Sequence, residues 1–239
     1  MKFWRYVFLI IVALGLAACQ APKAVHDVNI PSGVFGPTVA KKLKPGGPDQ
    51  PAWIYMNPKA DWGSYSKMEL DPVTFWRGPA AETKTLSRPD RQKLVNYFYQ
   101  VIHKAMSQYL TMVDKPSPGT MRAQVAITKA APYDTALDVI SSVLPQAVII
   151  SSMKDAFTGK PAFVGEAAVA CKVYDAQTNE LLAAWLADRV GGKQLDEAQM
   201  SSWGDVEQAM RFWASTAAYR LCKLQKRGNC KKPPNMPSN

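Results

Sequence analysis

Histidine is scarce in this chain. His26 and His103 are the two present among 239 residues. A Ser/His/Asp set cannot be assembled from them with any economy. His103 falls on the polar side of a helical pattern, with no second histidine or acid at ligand spacing, and reads as a solvated side chain. Zinc-binding clusters, a glycine-rich phosphate loop and a nucleophile elbow are all missing. No cofactor and no metal are expected. Acids are also few, 19 against 29 lysines and arginines, for a formal charge of +10. Apart from Lys41-Lys42-Lys44 and a C-terminal cluster, the basic residues are scattered, and no nucleic-acid motif accompanies them. Their plainest meaning is a soluble basic surface, and nucleic acid is not an expected partner. Anionic headgroups, lipopolysaccharide and cell-wall polymer remain chemically suitable ones. Long apolar runs are lacking too. The run from Tyr6 to Leu16 falls short of the ~20 residues a transmembrane helix needs.

What stands at the N-terminus is a basic region with Lys2 and Arg5, that apolar run, and the small pair Ala17-Ala18. This is the layout of a secretory signal peptide, here 1–18. Leu16-Ala17-Ala18-Cys19 resembles the lipobox of bacterial lipoproteins. The resemblance implies cleavage before Cys19, a diacylglyceryl group on its thiol, and an acylated amino terminus. Two or more acyl chains hold a protein stably, at ~0.8 kcal/mol per buried methylene. The membrane is then a partner through those chains. Gln20, a non-acidic residue after the cysteine, implies an outer-membrane lipoprotein facing the periplasm.

Export brings oxidising conditions. Cys222 and Cys230 flank the turn-forming Gly228-Asn229, and a bridge between them would add roughly 2–3 kcal/mol by loop entropy. Cys171 lies in an apolar strand and reads as an inert buried thiol.

The pattern divides the chain into the signal 1–18, a proline- and glycine-rich tether 19–51, a globular domain 52–228 and a basic, proline-rich tail 229–239, expected to be disordered from Lys231 on. A flexible tether of that length reaches roughly 30 Å. Val34, Phe35, Val39 and Leu43 are too apolar for a pure spacer, so part of it is expected to dock. Strands are predicted at 53–56 and 67–76, the latter interrupted by Pro72. Ser87 and Asp90 open a helix as a capping box, and Leu94, Phe98, Val101, Ile102, Ala105 and Tyr109 form its apolar face. Strands follow at 110–113 and 121–128, joined by a Pro/Gly turn. The stretch 136–153 is the most apolar outside the signal, and Pro145 should break it. A core helix, a self-association or partner surface, and a membrane-inserting element all stay open for it, although Pro145 and Asp138 oppose the last.

The strands 162–174 and 181–190 form a hairpin. If Tyr174 sits opposite Leu181, Glu166 falls opposite Arg189, which predicts a cross-strand ion pair. Ser202 and Asp205 mark a second capping box. Val206, Met210, Trp213, Ala217, Leu221 and Leu224 form the stripe of a last helix. Arg220, Lys223, Lys226 and Arg227 suit its C-terminal dipole.

Several segments resemble a family of bacterial lipoproteins, domain-of-unknown-function family 3313. They include Ser32-Gly33, Leu43-Lys44-Pro45-Gly46, Asn57-Pro58, Asp71-Pro72-Val73-Thr74-Phe75-Trp76, the run from Gly159 to Glu166, Asp175-Ala176-Gln177-Thr178 and the run from Arg189 to Lys193. The resemblance implies a lipoprotein and no particular activity. Asn179 departs from the glycine expected after Thr178, but asparagine also tolerates a left-handed turn.

The expected fold is α+β, a mainly antiparallel sheet with about three helices packed on it, on an N-terminal lipidated tether. The expected function is a non-enzymatic accessory or scaffold binding another envelope component, or assembling with itself. One alternative is a cell-envelope hydrolase using paired carboxylates, Glu69 with Asp71 or Glu166 with Asp188. The other is a carrier or sensor of an apolar ligand, with a pocket lined by Trp185, Phe163 or Ile149.

Overall fold

A computed structural model describes residues 23–78, 86–132, 165–190, 203–234 and 236. Cys19 and the stretch 136–153 lie outside them, as do Phe163 and Ile149.

The centre is three long strands, β7 (Thr120–Ala131), β8 (Glu166–Asp175) and β9 (Leu181–Val190), in antiparallel order. β8 and β9 are largely apolar on both sides, as strands covered on both faces must be, whereas β7 carries Arg122, Gln124 and Lys129 on the face away from the helices. On the β9 side the sheet continues antiparallel through β3 (Trp53–Met56) to the short β2 (Lys44–Pro45). The strand β1 (Lys23–Val25) also pairs with β9. On the β7 side come β4 (Lys67–Leu70), β5 (Thr74–Phe75) and β6 (Thr111–Met112), all parallel to their neighbours. The sheet is therefore mixed. The predicted strand 67–76 is two pieces, β4 and β5, separated at Asp71-Pro72 because proline cannot donate to the ladder. The strands at 111–112 and 120–131 are not a hairpin. They flank β4 on opposite sides, and the helix between β4 and β6 is the crossover that parallel pairing requires.

That helix is α2 (Arg88–Met106). Ser87 caps it through a 3.2 Å bond from Asp90 N. Leu94, Phe98, Ile102, Ala105 and Met106 are buried, while His103 is exposed. Beside it lies α3 (Gly204–Leu224), with Phe98 and Trp213 rings 6.2 Å apart between them. Its buried stripe runs through Val206, Met210, Ala214, Ala218 and Leu221. Leu224, expected in the stripe, is 41% exposed. Ser202, expected to open the capping box, lies outside the described residues. Trp203 holds the N-cap position without a side-chain capping bond, and Asp205 Oδ2 accepts from Gly165 N at 2.9 Å.

The other face of the sheet is covered by the segment expected to be a tether. Val34, Phe35, Val39 and Leu43 are buried against Ala170, Leu181, Ala184 and Leu186. The short helix α1 (Gly36–Ala40) carries Val39. Gly33 and Gly36 have φ of 83° and 71°, which only glycine adopts cheaply. Trp53 Nε1 donates to Val28 O at 2.7 Å, and Gly46 N to Ala52 O at 2.9 Å. The described chain therefore belongs to the folded unit from Lys23 onward. Four apolar anchors and two glycine turns fold a segment whose prolines and lack of period suggested a leash.

The tail is also engaged. Cys222 and Cys230 form a disulfide, with Cα atoms 5.6 Å apart. Lys231 N donates to Tyr109 Oη at 2.9 Å, and Pro233 is buried.

Candidate functional site

The strand pair β8–β9 decides which charged groups meet. Tyr174 does sit opposite Leu181, but Val173 pairs with Ala183, so Leu182 is an extra residue in the ladder. This bulge slips everything beyond it by one. Glu166 then faces Val190, and Arg189 faces Ala167. A one-residue slip puts side chains on opposite faces, so the expected Glu166–Arg189 ion pair is not formed across the strands. Glu166 pairs with Lys129 instead. Arg189 lies on the helix face, its guanidinium 3.8 Å from the centre of the Phe212 ring. Burial lowers its pKa to about 10.

Both carboxylate pairs singled out in the sequence share a face. Glu166 and Asp188 are diagonal neighbours on the side away from the helices, with Asp188 buried and Lys129 in the same row as Asp188. Glu69 and Asp71 converge on Arg122. Its Nε and Nη2 reach Asp71 Oδ1 and Oδ2 at 2.8 and 3.0 Å, and Glu69 lies 3.9 Å from Nε. Gln124 Nε2 also donates to Asp71, at 3.1 Å. The bidentate bond raises the Arg122 pKa above its ordinary value. Asp71 is thus committed to the guanidinium by two charge-assisted bonds, while Glu69 Oε2 lies near it without a hydrogen bond. Beside them is an open groove of about 220 Å³, where Glu69, Asp71 and Asp114 meet Tyr99 and His103.

A second groove, about 390 Å³, lies at the disulfide, between Gln108 and Tyr109 on one side and Arg227, Asn229 and Lys231 on the other. Trp185 is half-buried on the helix side, opposite Cys171. Among the described residues, no three His, Cys, Asp or Glu side chains are placed to hold a metal ion, and no helix is long and apolar enough to cross a membrane.

The hairpin turn holds a feature that residue types alone did not reveal. Asp175 Oδ1 accepts from Gln177 N and Thr178 N at 2.8 and 2.7 Å, and Asn179 takes φ 60°. The other oxygen accepts from Tyr65 Oη at 2.9 Å. These bonds lower the Asp175 pKa, the Thr178 amide most. Burial first, and then the bond to Asp175, push Tyr65 up to about 12. Asn57 Nδ2 donates to Glu180 Oε1 at 2.7 Å and ties the next loop to the same turn. The Asp-x-x-Thr sequence signalled the turn, but Tyr65 is too distant in sequence to signal the latch.

The described head is thus an α+β module, with two helices on one face of a mixed sheet and a wrapped N-terminal segment on the other. The profile of the family described as "Protein of unknown function (DUF3313)" matches residues 32–217, and the chain belongs to that family. A comparison with curated proteins gives no match. Among solved structures, the PelC dodecamer from Paraburkholderia phytofirmans is 8% identical, covering 74% of this chain and 96% of that one, with a TM-score of 0.35. Protein XCC0632 from Xanthomonas campestris is 10% identical over 72% and 91%, with a TM-score of 0.39. The hypothetical protein CT253 from Chlamydia trachomatis is 10% identical over 66% and 99%, with a TM-score of 0.36.

Proposed function

We propose that this protein is an outer-membrane lipoprotein facing the periplasm, whose head is a non-enzymatic accessory or scaffold module for another envelope component. The observation that carries the reading is the joint presence of Leu16-Ala17-Ala18-Cys19 and the Cys222–Cys230 disulfide. The first is the signature of acylation at export. The second is a bond that persists in an oxidising compartment. The engagement of Asp71 by Arg122 and of Glu166 by Lys129 favours structural over catalytic use of the carboxylates. Exposed polar rims around both grooves suit a protein or polymer surface more than a buried small ligand.

The test uses palmitate labelling and cross-linking in living cells, comparing the native chain with Cys19→Ala. Label on the native chain alone, and a discrete partner captured only with the anchor intact, are the expected results. A native chain without label overturns the lipoprotein reading. A labelled chain that captures nothing reproducible overturns the scaffold reading.

A further inference from the structure

We propose that the end of the sheet where β7 and β9 finish and β8 begins rests against the anionic headgroups of the bilayer, with the opposite end presented outward. The inference deepens the reading above and rests on acylation of Cys19.

The argument begins with the length of the leash. Strand β1 starts at Lys23, and four residues from Cys19 span at most about 14 Å. The head cannot wander as it would on a thirty-residue tether. Lys23 pairs with Val190, the last residue of β9. Val190 pairs with Glu166, the first of β8, and Glu166 with Ala131, the last of β7. The anchor therefore arrives at one defined end of the central strands. From there β1 runs inward, with Val25 opposite Asp188.

Both long helices follow the same axis. At its start α3 is tied to the near end by the Asp205–Gly165 bond. Its last turn lies at the other end, where Gln225 Nε2 donates to Tyr65 O and Trp62 O. The C-terminus of α2 leads into β6, whose first amide bonds Ser66 O beside the start of β4. Its nineteen residues extend about 28 Å back toward the near end. Arg88 there is exposed, and so is Arg77, which follows β5 toward the same end. Exposed Lys223, Lys226, Arg227, Lys231 and Lys232 make the far end the more basic, so the length of the leash, and not charge, sets the orientation, and the two guanidinium groups give the near end only a local fit to phosphate headgroups. The far end carries the β8–β9 turn, the loop at Asn57 and the disulfide-closed tail. Ten residues of β8 place it about 33 Å from the near end, beyond the reach of the leash.

The full acylated chain is reconstituted in vesicles of phosphatidylethanolamine and phosphatidylglycerol containing a headgroup spin label. Arg77→Cys reports the near end and Lys59→Cys the far end, each carrying a maleimide fluorophore. Cys171 is buried and the other pair is bridged, so the parent chain is the unlabelled control. The expected result is several-fold stronger quenching at position 77 than at 59. Equal quenching at both sites means a head lying on its side, and quenching at neither means one held clear. Either outcome overturns the orientation while leaving acylation intact. A mass of the N-terminal peptide without acyl groups overturns orientation and anchor together.

Discussion

The two faces of the sheet bury their apolar residues by different means. On one, Leu94, Phe98, Val206 and Met210 descend from two long helices and are at most 2% exposed. On the other, Val34, Phe35, Val39 and Leu43 come from a segment whose one helix is five residues long. The helix face repeats a period, and any turn of either helix supports the next. The wrapped face depends on a few anchors placed by glycine turns. Equal burial can thus arise from regular and irregular backbone, and only the first leaves a periodic trace.

The sharpest way to break that comparison is one probe on both faces. Phe35→Ala and Phe98→Ala should each cost about 3–5 kcal/mol in urea unfolding, since each empties a buried aromatic site. A cost near zero for Phe35→Ala would return the N-terminal segment to the status of a spacer. A smaller effect should follow from Gly36→Ala. A methyl there meets nothing within 4 Å, so the cost is conformational alone, about 1–2 kcal/mol. Gly228→Ala, also in open space and without a positive φ, is the control and should be silent in the same urea unfolding.

The smallest effect separates the faces by pH. Tyr65, on the helix side, keeps its proton in the folded state until about pH 12, against 10.0 for the ordinary side chain. The folded state therefore binds the proton more tightly. Its stabilising share is complete below pH 10, and is lost as pH rises from 10 to 12. Tyr174, on the wrapped side, is raised by burial without a carboxylate partner. Tyr65→Phe should flatten the alkaline decline of stability more than Tyr174→Phe does. The reverse order would mean that the Tyr65–Asp175 bond is not the latch.

Helix-forming stretches were legible because capping and spacing are local. Ser87, Asp90 and the Leu94–Phe98–Ile102 stripe needed no knowledge of the rest of the fold. The strand pair 166–175 and 181–190 was legible for the same reason. Its register was not, because Leu182 is apolar like its neighbours and nothing local marks it as the bulge. That one residue moved Arg189 beneath α3 and handed Glu166 to Lys129. The parallel strands were hidden because β5 and β6 are two residues each, too short for any alternation. The carboxylate pairs were legible as neighbours, but Arg122 as the clamp on Asp71 required the parallel register of β4 and β7.

Cys171 has a consequence for how the protein is made. Before the strands assemble, Cys171, Cys222 and Cys230 are all candidates for oxidation, and two of their three pairings are wrong. Docking of β8 beneath the helices buries Cys171. The low-dielectric surroundings push its thiol pKa up, and thiol exchange requires the thiolate. Once β8 has docked, Cys171 therefore no longer competes for either partner of the helix-end bond. The central strand acts as a proofreader of a linkage it never touches.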